Sequence, residues 1–128
     1  MEQDILKVEM EVVVTGEDID DIMCGALEGG INYWCNKAEV VGDYLGEYGS
    51  EQISRGGQLK LYDFEEEKVY ILTKEKFLEG VKLYCKNPTT CNILEQINGK
   101  LHLDCCNADA LVCDAIIQYA LFADVIYG

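Results

Sequence analysis

The sequence predicts an α+β fold: a small antiparallel or mixed sheet with about three to four helices packed on it. Three observations carry that prediction. Leu6, Val8, Met10, Val12 and Val14 alternate with Lys7, Glu9 and Glu11, the period of a strand with one wet face. Ile19, Ile22, Met23, Ala26 and Leu27 instead recur at helical spacing. Asn98-Gly99, set between "NILEQI" and "KLHL", is a strong short hairpin turn.

Taken in order, the chain begins with the alternating strand to Val14. Thr15, three residues before Asp18, forms a capping box that starts the first helix. Gly29-Gly30 is expected to stop that helix, because glycine takes the left-handed C′ conformation without steric cost. Ile31 to Val41 reads as extended. Leu45, Tyr48 and Ile53 allow a helix from about Asp43 to Arg55, closed by Gly56-Gly57 and weakened by Gly46 and Gly49.

"LKLYDFEEEKVYIL" reads as a hairpin with Leu59 and Leu61 opposite Val69 and Ile71. Thr73 caps a helix whose buried face is Phe77, Leu78, Val81, Tyr84 and Cys85, and Asn87-Pro88 ends it. After the Asn98-Gly99 hairpin, Asp104 or Asn107 caps a last helix to about Phe122. That helix is apolar nearly all round, broken only by Asp109, Asp114 and Gln118. Such a helix is buried within its domain or covered by a second subunit. With 128 residues, 49 % of them apolar, and no repeat or linker, residues 1–128 read as a single domain.

Charge is the most unusual global feature. Twenty-four acidic residues against ten basic ones give a net charge of −14. A field of that sign repels phosphates and anionic membranes, so direct nucleic-acid or membrane binding is disfavoured. It favours a partner with a basic face, although plain solubility accounts for the same charge. The acidic groups available for a partner are Glu17, Asp18, Asp20 and Asp21, and then Glu65, Glu66 and Glu67.

The N-terminus "MEQDILKVEM" has no basic start followed by an apolar run, and no segment approaches membrane-spanning length. A cytoplasmic location is expected, with the seven cysteines reduced and acting mainly as small hydrophobes. Their spacing contains no Cys-x-x-Cys, and His102 is the only histidine, so neither a metal site nor any cofactor is expected. A Cys/His-dependent enzyme would have to use His102 oriented by Asp104, with no cysteine marked out to match. No Gly-x-Ser-x-Gly elbow or phosphate-binding glycine loop appears. Enzyme activity is therefore not expected.

The aromatic set offers more. Asn32, Tyr33, Trp34, Tyr44 and Tyr48 lie among glycines, followed by Arg55, the only arginine before "GG". Tyrosine and tryptophan combine an apolar body with a polar handle and are enriched where proteins meet partners. These residues form either one recognition surface or a core cluster. For Arg55 the alternative is a cation favoured at a helix C-terminus.

The stretches "DIDDIMCGALEGGINYWCNKAEVVGDYLGEYGSEQISRGG" and "DAIIQYALFADVIYG" resemble a group of small acidic proteins of unassigned function from phages and other mobile elements of Gram-positive gut bacteria. The resemblance carries no activity or catalytic residue. It implies a context in which small acidic proteins antagonise host defence, as anti-CRISPR proteins do. The leading expectation is a non-enzymatic interaction protein that inhibits a basic, nucleic-acid-handling protein of host defence. The alternative is a module sequestering a small nucleotide-type signal between Tyr33, Trp34, Tyr48 and Arg55. A homodimer is also expected, through the apolar last helix and the "YG" end.

Overall fold

A computed structural model describes residues 2–64 and 67–128. It is an α+β structure with three α-helices and two three-stranded sheets where one sheet was expected. Strand β1 (Val12–Val13) lies parallel to β6 (Lys100–Leu103), which pairs antiparallel with β5 (Leu94–Ile97). The other sheet, β2 (Cys35–Val40), β3 (Leu59–Asp63) and β4 (Val69–Leu72), is antiparallel throughout. One sheet is thus mixed and the other antiparallel. No helix of the described residues is long and apolar enough to cross a membrane.

Helix α1 (Gly16–Gly25) starts as its capping box dictates. Thr15 Oγ1 accepts from Asp18 N at 3.1 Å, and Asp18 Oδ2 accepts from Thr15 N at 2.9 Å. Its end departs from expectation. Ala26–Gly30 continues as one π-helical turn in which neither glycine is left-handed. Gly30 is needed for space: a Cβ there would stand 2.7 Å from the Ala110 carbonyl oxygen. Gly30 lets this turn touch the last helix, whereas Gly29 has nothing within 4 Å of an added Cβ.

Helix α2 (Lys74–Lys86) is capped by Thr73 and buries Phe77, Gly80, Val81 and Tyr84. Leu78 is exposed and Cys85 only partly covered. Helix α3 (Ala110–Phe122) is capped by Asp109, whose side chain accepts from Val112 N at 3.0 Å. Asp104 instead precedes, and Asn107 ends, a short 3-10 turn over Cys105–Asn107, which displaces the helix start. Every residue from Val112 to Gln118 is buried, with α1, the π turn, α2 and β4 packed around the helix. The all-round apolar character therefore reflects a central position inside this chain.

Two strand expectations are corrected. The β3–β4 register places Leu59 opposite Leu72 and Leu61 opposite Tyr70, not Ile71 and Val69. Because the side-chain period is two, this single step turns Val69 to solvent and Leu72 into the core. The alternating segment from Leu6 is a strand only at Val12–Val13. Val12 pairs with Leu101 in parallel, so the residues before Glu11 run past the Asn98-Gly99 turn, where no strand remains to pair with.

That turn itself forms as expected, with Asn98 at φ 51° and Gly99 at φ 80°, both in the region a two-residue hairpin requires.

Candidate functional site

The structure divides the sequence-predicted residues between two places. Ile31–Trp34 is a turn following the π turn, closed by Trp34 N and Cys35 N donating to Ile31 O. It leaves Asn32 on the surface, Tyr33 half-exposed and Trp34 at 3 % exposure. The Trp34 ring is a core residue, stacked on Tyr127 with centroids 4.8 Å apart and edge-on to Tyr70 and Phe122. With both its stacking partner and its N–H occupied, it forms no open wall.

Its indole Nε1 donates to Asp114 Oδ1 at 2.8 Å, and the Tyr33 hydroxyl donates to Asp114 Oδ2 at 2.6 Å. Gln118, one turn further along α3, donates from Nε2 to Asp114 Oδ1 at 3.0 Å. Its Oε1 accepts the backbone N–H groups of Ile126 and Tyr127, each at 2.8 Å. A carboxylate that is only 6 % exposed is thus held by three neutral donors, and the same pair of side chains clasps the C-terminal tail. Burying an acceptor is tolerable only when it is satisfied in this way. Sequence reasoning missed Asp114 and Gln118 as organisers. The available signal was their i, i+4 spacing in a helix with almost no other polar residue.

Burial and the hydrogen bond to the Asp114 carboxylate push the Tyr33 phenol up to about 12. Tyr127, sharing a hydrogen bond with the Tyr70 hydroxyl and partly covered, is also raised to about 12. An unfolded phenol titrates near 10. Native pKa values above that keep the proton on in the folded state, so this stability is present below pH 10. It is lost as pH rises through 12. Denaturation by urea between pH 9 and 12 should show stability falling steeply with pH across the upper part of that range. Tyr33→Phe should fall less steeply; an identical slope would separate Tyr33 from the alkaline transition.

Tyr44, Tyr48 and Arg55 belong to the second place, the loop between β2 and β3. The expected helix from Asp43 to Arg55 is replaced by a 3-10 turn over Gly49–Glu51 and by turns either side. Side chains rather than helical hydrogen bonds build this loop. Buried Gln52 donates from Nε2 to Asp43 O at 3.2 Å, while its Oε1 accepts Leu45 N at 3.1 Å. Glu51 Oε1 accepts Glu47 N at 3.1 Å and Tyr48 N at 3.0 Å, and Glu51 Oε2 pairs with Arg55 at 3.2 Å. Gly46 permits this packing, since a Cβ there would meet Arg55 Nε at 2.8 Å. Arg55 is therefore a brace of the loop.

The result is a loop whose backbone is tied inward, with Ile53 in the core and the apolar side chains of residues 44, 45 and 48 facing out. Tyr44 and Tyr48 are each 62 % exposed, Leu45 is exposed beside them, and Asp43 and Glu47 interleave. Leu45 was not among the residues the sequence nominated, because its apolar character reads as core.

The acidic groups divide as well. Asp18 is held in the capping box, and Asp20 accepts from the Ser54 hydroxyl at 2.5 Å. Glu17, Asp21 and Glu67 are exposed, while Glu65 and Glu66 lie outside the described residues.

The remaining reactive side chains lie elsewhere in the chain. His102 sits in β6 opposite Glu95, and Asp104 Oδ2 accepts from Asn107 at 2.7 Å. Burial, with Asp18 beside it, raises the Cys105 thiol to about 12, and burial, with Asp109 nearby, raises Cys113 to about 11. Burial also raises Cys24, Cys35 and Cys85. A nucleophilic cysteine needs the opposite shift. Among the described residues no group of three His, Cys, Asp or Glu side chains is placed to hold a metal ion. Compared with protein-family models, curated proteins and solved structures, the chain matches none of them.

Proposed function

We propose that this chain is a non-enzymatic, acidic interaction protein of the cytoplasm. In this reading it binds and inhibits a basic, nucleic-acid-handling protein of host defence. The observation that carries the reading is the braced loop displaying Tyr44, Leu45 and Tyr48 between Asp43 and Glu47. A loop already held in one conformation loses little entropy on docking. Exposed tyrosines flanked by carboxylates suit Lys and Arg side chains, whose cations pair with the carboxylates and pack over aromatic faces. The net charge of −14 adds long-range attraction to a basic groove and repels nucleic acid itself. The resemblance to acidic mobile-element proteins supplies the host-defence context.

The test is inhibition of nucleic-acid cleavage by CRISPR-type effector nucleases, titrated with the chain at increasing salt. Inhibition should weaken as salt rises. Tyr44→Ala combined with Tyr48→Ala should cost about 100-fold in affinity, the sum of two ordinary aromatic anchors. Its melting temperature should stay at the wild-type value, because both rings are exposed. Salt-independent inhibition by a chain lacking both tyrosines would overturn the reading.

A further inference from the structure

The N-terminal residues 2–11 are all exposed, with Ile5 at 87 % and Leu6 at 85 %, in a segment whose sequence is that of a strand. Three features of their surroundings bear on this. The segment leads into β1, which is an edge strand, so its backbone N–H and C=O groups on the outer side are unpaired within the sheet. It overhangs the end of the β5–β6 hairpin, so the chain offers it no strand on the inner side either. Val8, Met10, Val12 and Val14 also line an open apolar groove of about 700 Å³ against Leu78, Val81 and Cys85 of α2 and its neighbours. An alternating, unpaired edge of this kind is a template for another strand.

From this arrangement we infer that the arm is a dimerisation strand and that its occupant is the arm of a second copy. Pairing is antiparallel about a two-fold axis at Val8. The sequence itself is the reason for that choice. Antiparallel pairing places opposed residues on one face, and a two-fold axis at Val8 sets Leu6 opposite Met10 twice and Val8 opposite itself. On the other face the same register sets Lys7 opposite Glu9 twice, so the only cation of the arm meets a carboxylate in both halves. Moving the axis to Glu9 keeps Lys7 near an acid, at Glu11, but forces Glu9 against its own copy. An axis at Lys7 opposes two lysines, and one at Met10 opposes Glu9 to Glu11. Charge complementarity therefore selects the Val8 register.

Pairing satisfies the free strand edge, which the isolated chain leaves unpaired, and it covers the open side of the apolar groove that each arm shares with α2. The interface is isologous, as a closed dimer requires. It is also distinct from the last helix, whose apolar surface is used inside the chain. Dimerisation is separate from docking by the Tyr44–Tyr48 loop and holds whether or not that reading does.

The test is sedimentation velocity of the full chain at near-physiological salt, where the Debye length of about 8 Å limits repulsion between two acidic copies. The wild type should sediment at twice the monomer mass at micromolar concentration. Lys7→Glu alone, or Glu9→Lys alone, should weaken the dimer roughly ten- to thirty-fold by setting like charges opposite one another twice. Lys7→Glu with Glu9→Lys should restore it, because positions 7 and 9 oppose each other only in the Val8 register. These positions are solvent-exposed, so at concentrations low enough to keep the wild type monomeric all three variants should melt with it. A wild type that stays monomeric, its arm closed on its own groove or reserved for another partner, overturns the inference. So does a double variant that dimerises no better than either single one.

Discussion

Asp114→Ala is expected to destabilise the chain by about 3 kcal/mol, because one buried donor loses its acceptor outright and a second keeps only its longer contacts to the Tyr33 hydroxyl and the Tyr127 carbonyl, at about 1–3 kcal/mol each. Those donors are Trp34 Nε1 and Gln118 Nε2. The half-exposed Tyr33 hydroxyl can turn to water and adds little. Against the roughly 5–15 kcal/mol that stabilises a domain of this size, such a loss is a large fraction. It corresponds to a fall in Tm of roughly 10–15 °C.

A second consequence follows from geometry. Gln118 loses the carboxylate it shares with Trp34 Nε1, so the tail clasped by its Oε1 at Ile126 and Tyr127 is no longer locked to the indole. Tyr127 should therefore leave the Trp34 face. Trp34 is the only tryptophan, so its fluorescence reports this directly, with emission shifting to the red as water reaches the ring. Asp114→Asn keeps one acceptor and loses the charge. It should cost roughly half as much, since bonds to a charged group are about twice as strong as neutral ones. An Asp114→Ala chain melting within a degree or two of wild type would mean that the network is ornamental.

That network also marks the boundary of what could be read in the sequence. Features set by neighbours along the chain were legible: the Thr15 and Thr73 caps, the Asn98-Gly99 turn, the helical face of α1 and, for α2, Phe77, Val81 and Tyr84 but not Leu78. Features set by distant partners were not. Trp34 and Asp114 are 80 positions apart, and nothing near Trp34 states that its N–H will meet a buried carboxylate. The run "VYIL" is apolar throughout, so alternation alone cannot decide whether Val69 and Ile71 or Tyr70 and Leu72 face the core.

The arm failed for a related reason. Its alternation from Leu6 is real, but a strand needs a partner, and the hairpin beside it ends at Lys100. The loop after β2 was misread as a helix because Leu45, Tyr48 and Ile53 fit helical spacing. Gln52 and Glu51 satisfy its backbone through side chains, and they displace the helix at no cost in hydrogen bonds. The aromatic set read as one group from Asn32 to Arg55 is split in two, because Tyr33 and Trp34 are tied to α3 while Tyr44, Tyr48 and Arg55 stay together in a loop that is itself a local object.

The other large effect is expected at Gly80, where two opposing contributions must be compared. Gly80 lies in the interior of α2, so an alanine gains about 1 kcal/mol of helix propensity there. A Cβ at that position would stand 2.5 Å from the Ile116 carbonyl oxygen and 2.8 Å from both Ala120 N and Ala120 Cβ. Such atoms could yield if they belonged to flexible side chains. Here the oxygen and nitrogen are backbone of α3, the most buried helix, which is packed on several sides and cannot retreat. Forcing the helices apart opens the seam along Phe77, Val81 and Ile116, and overpacking of this kind costs about 1–3 kcal/mol or more. The steric contribution outweighs propensity, so Gly80→Ala should lower Tm by several degrees, and Gly80→Val should do so by far more. Gly16→Ala is the control. It sits in the first turn of α1 with nothing within 4 Å of the added methyl, and it should leave stability unchanged or raise it slightly. Equal melting of Gly80→Ala and Gly16→Ala would show that α2 and α3 do not approach this closely.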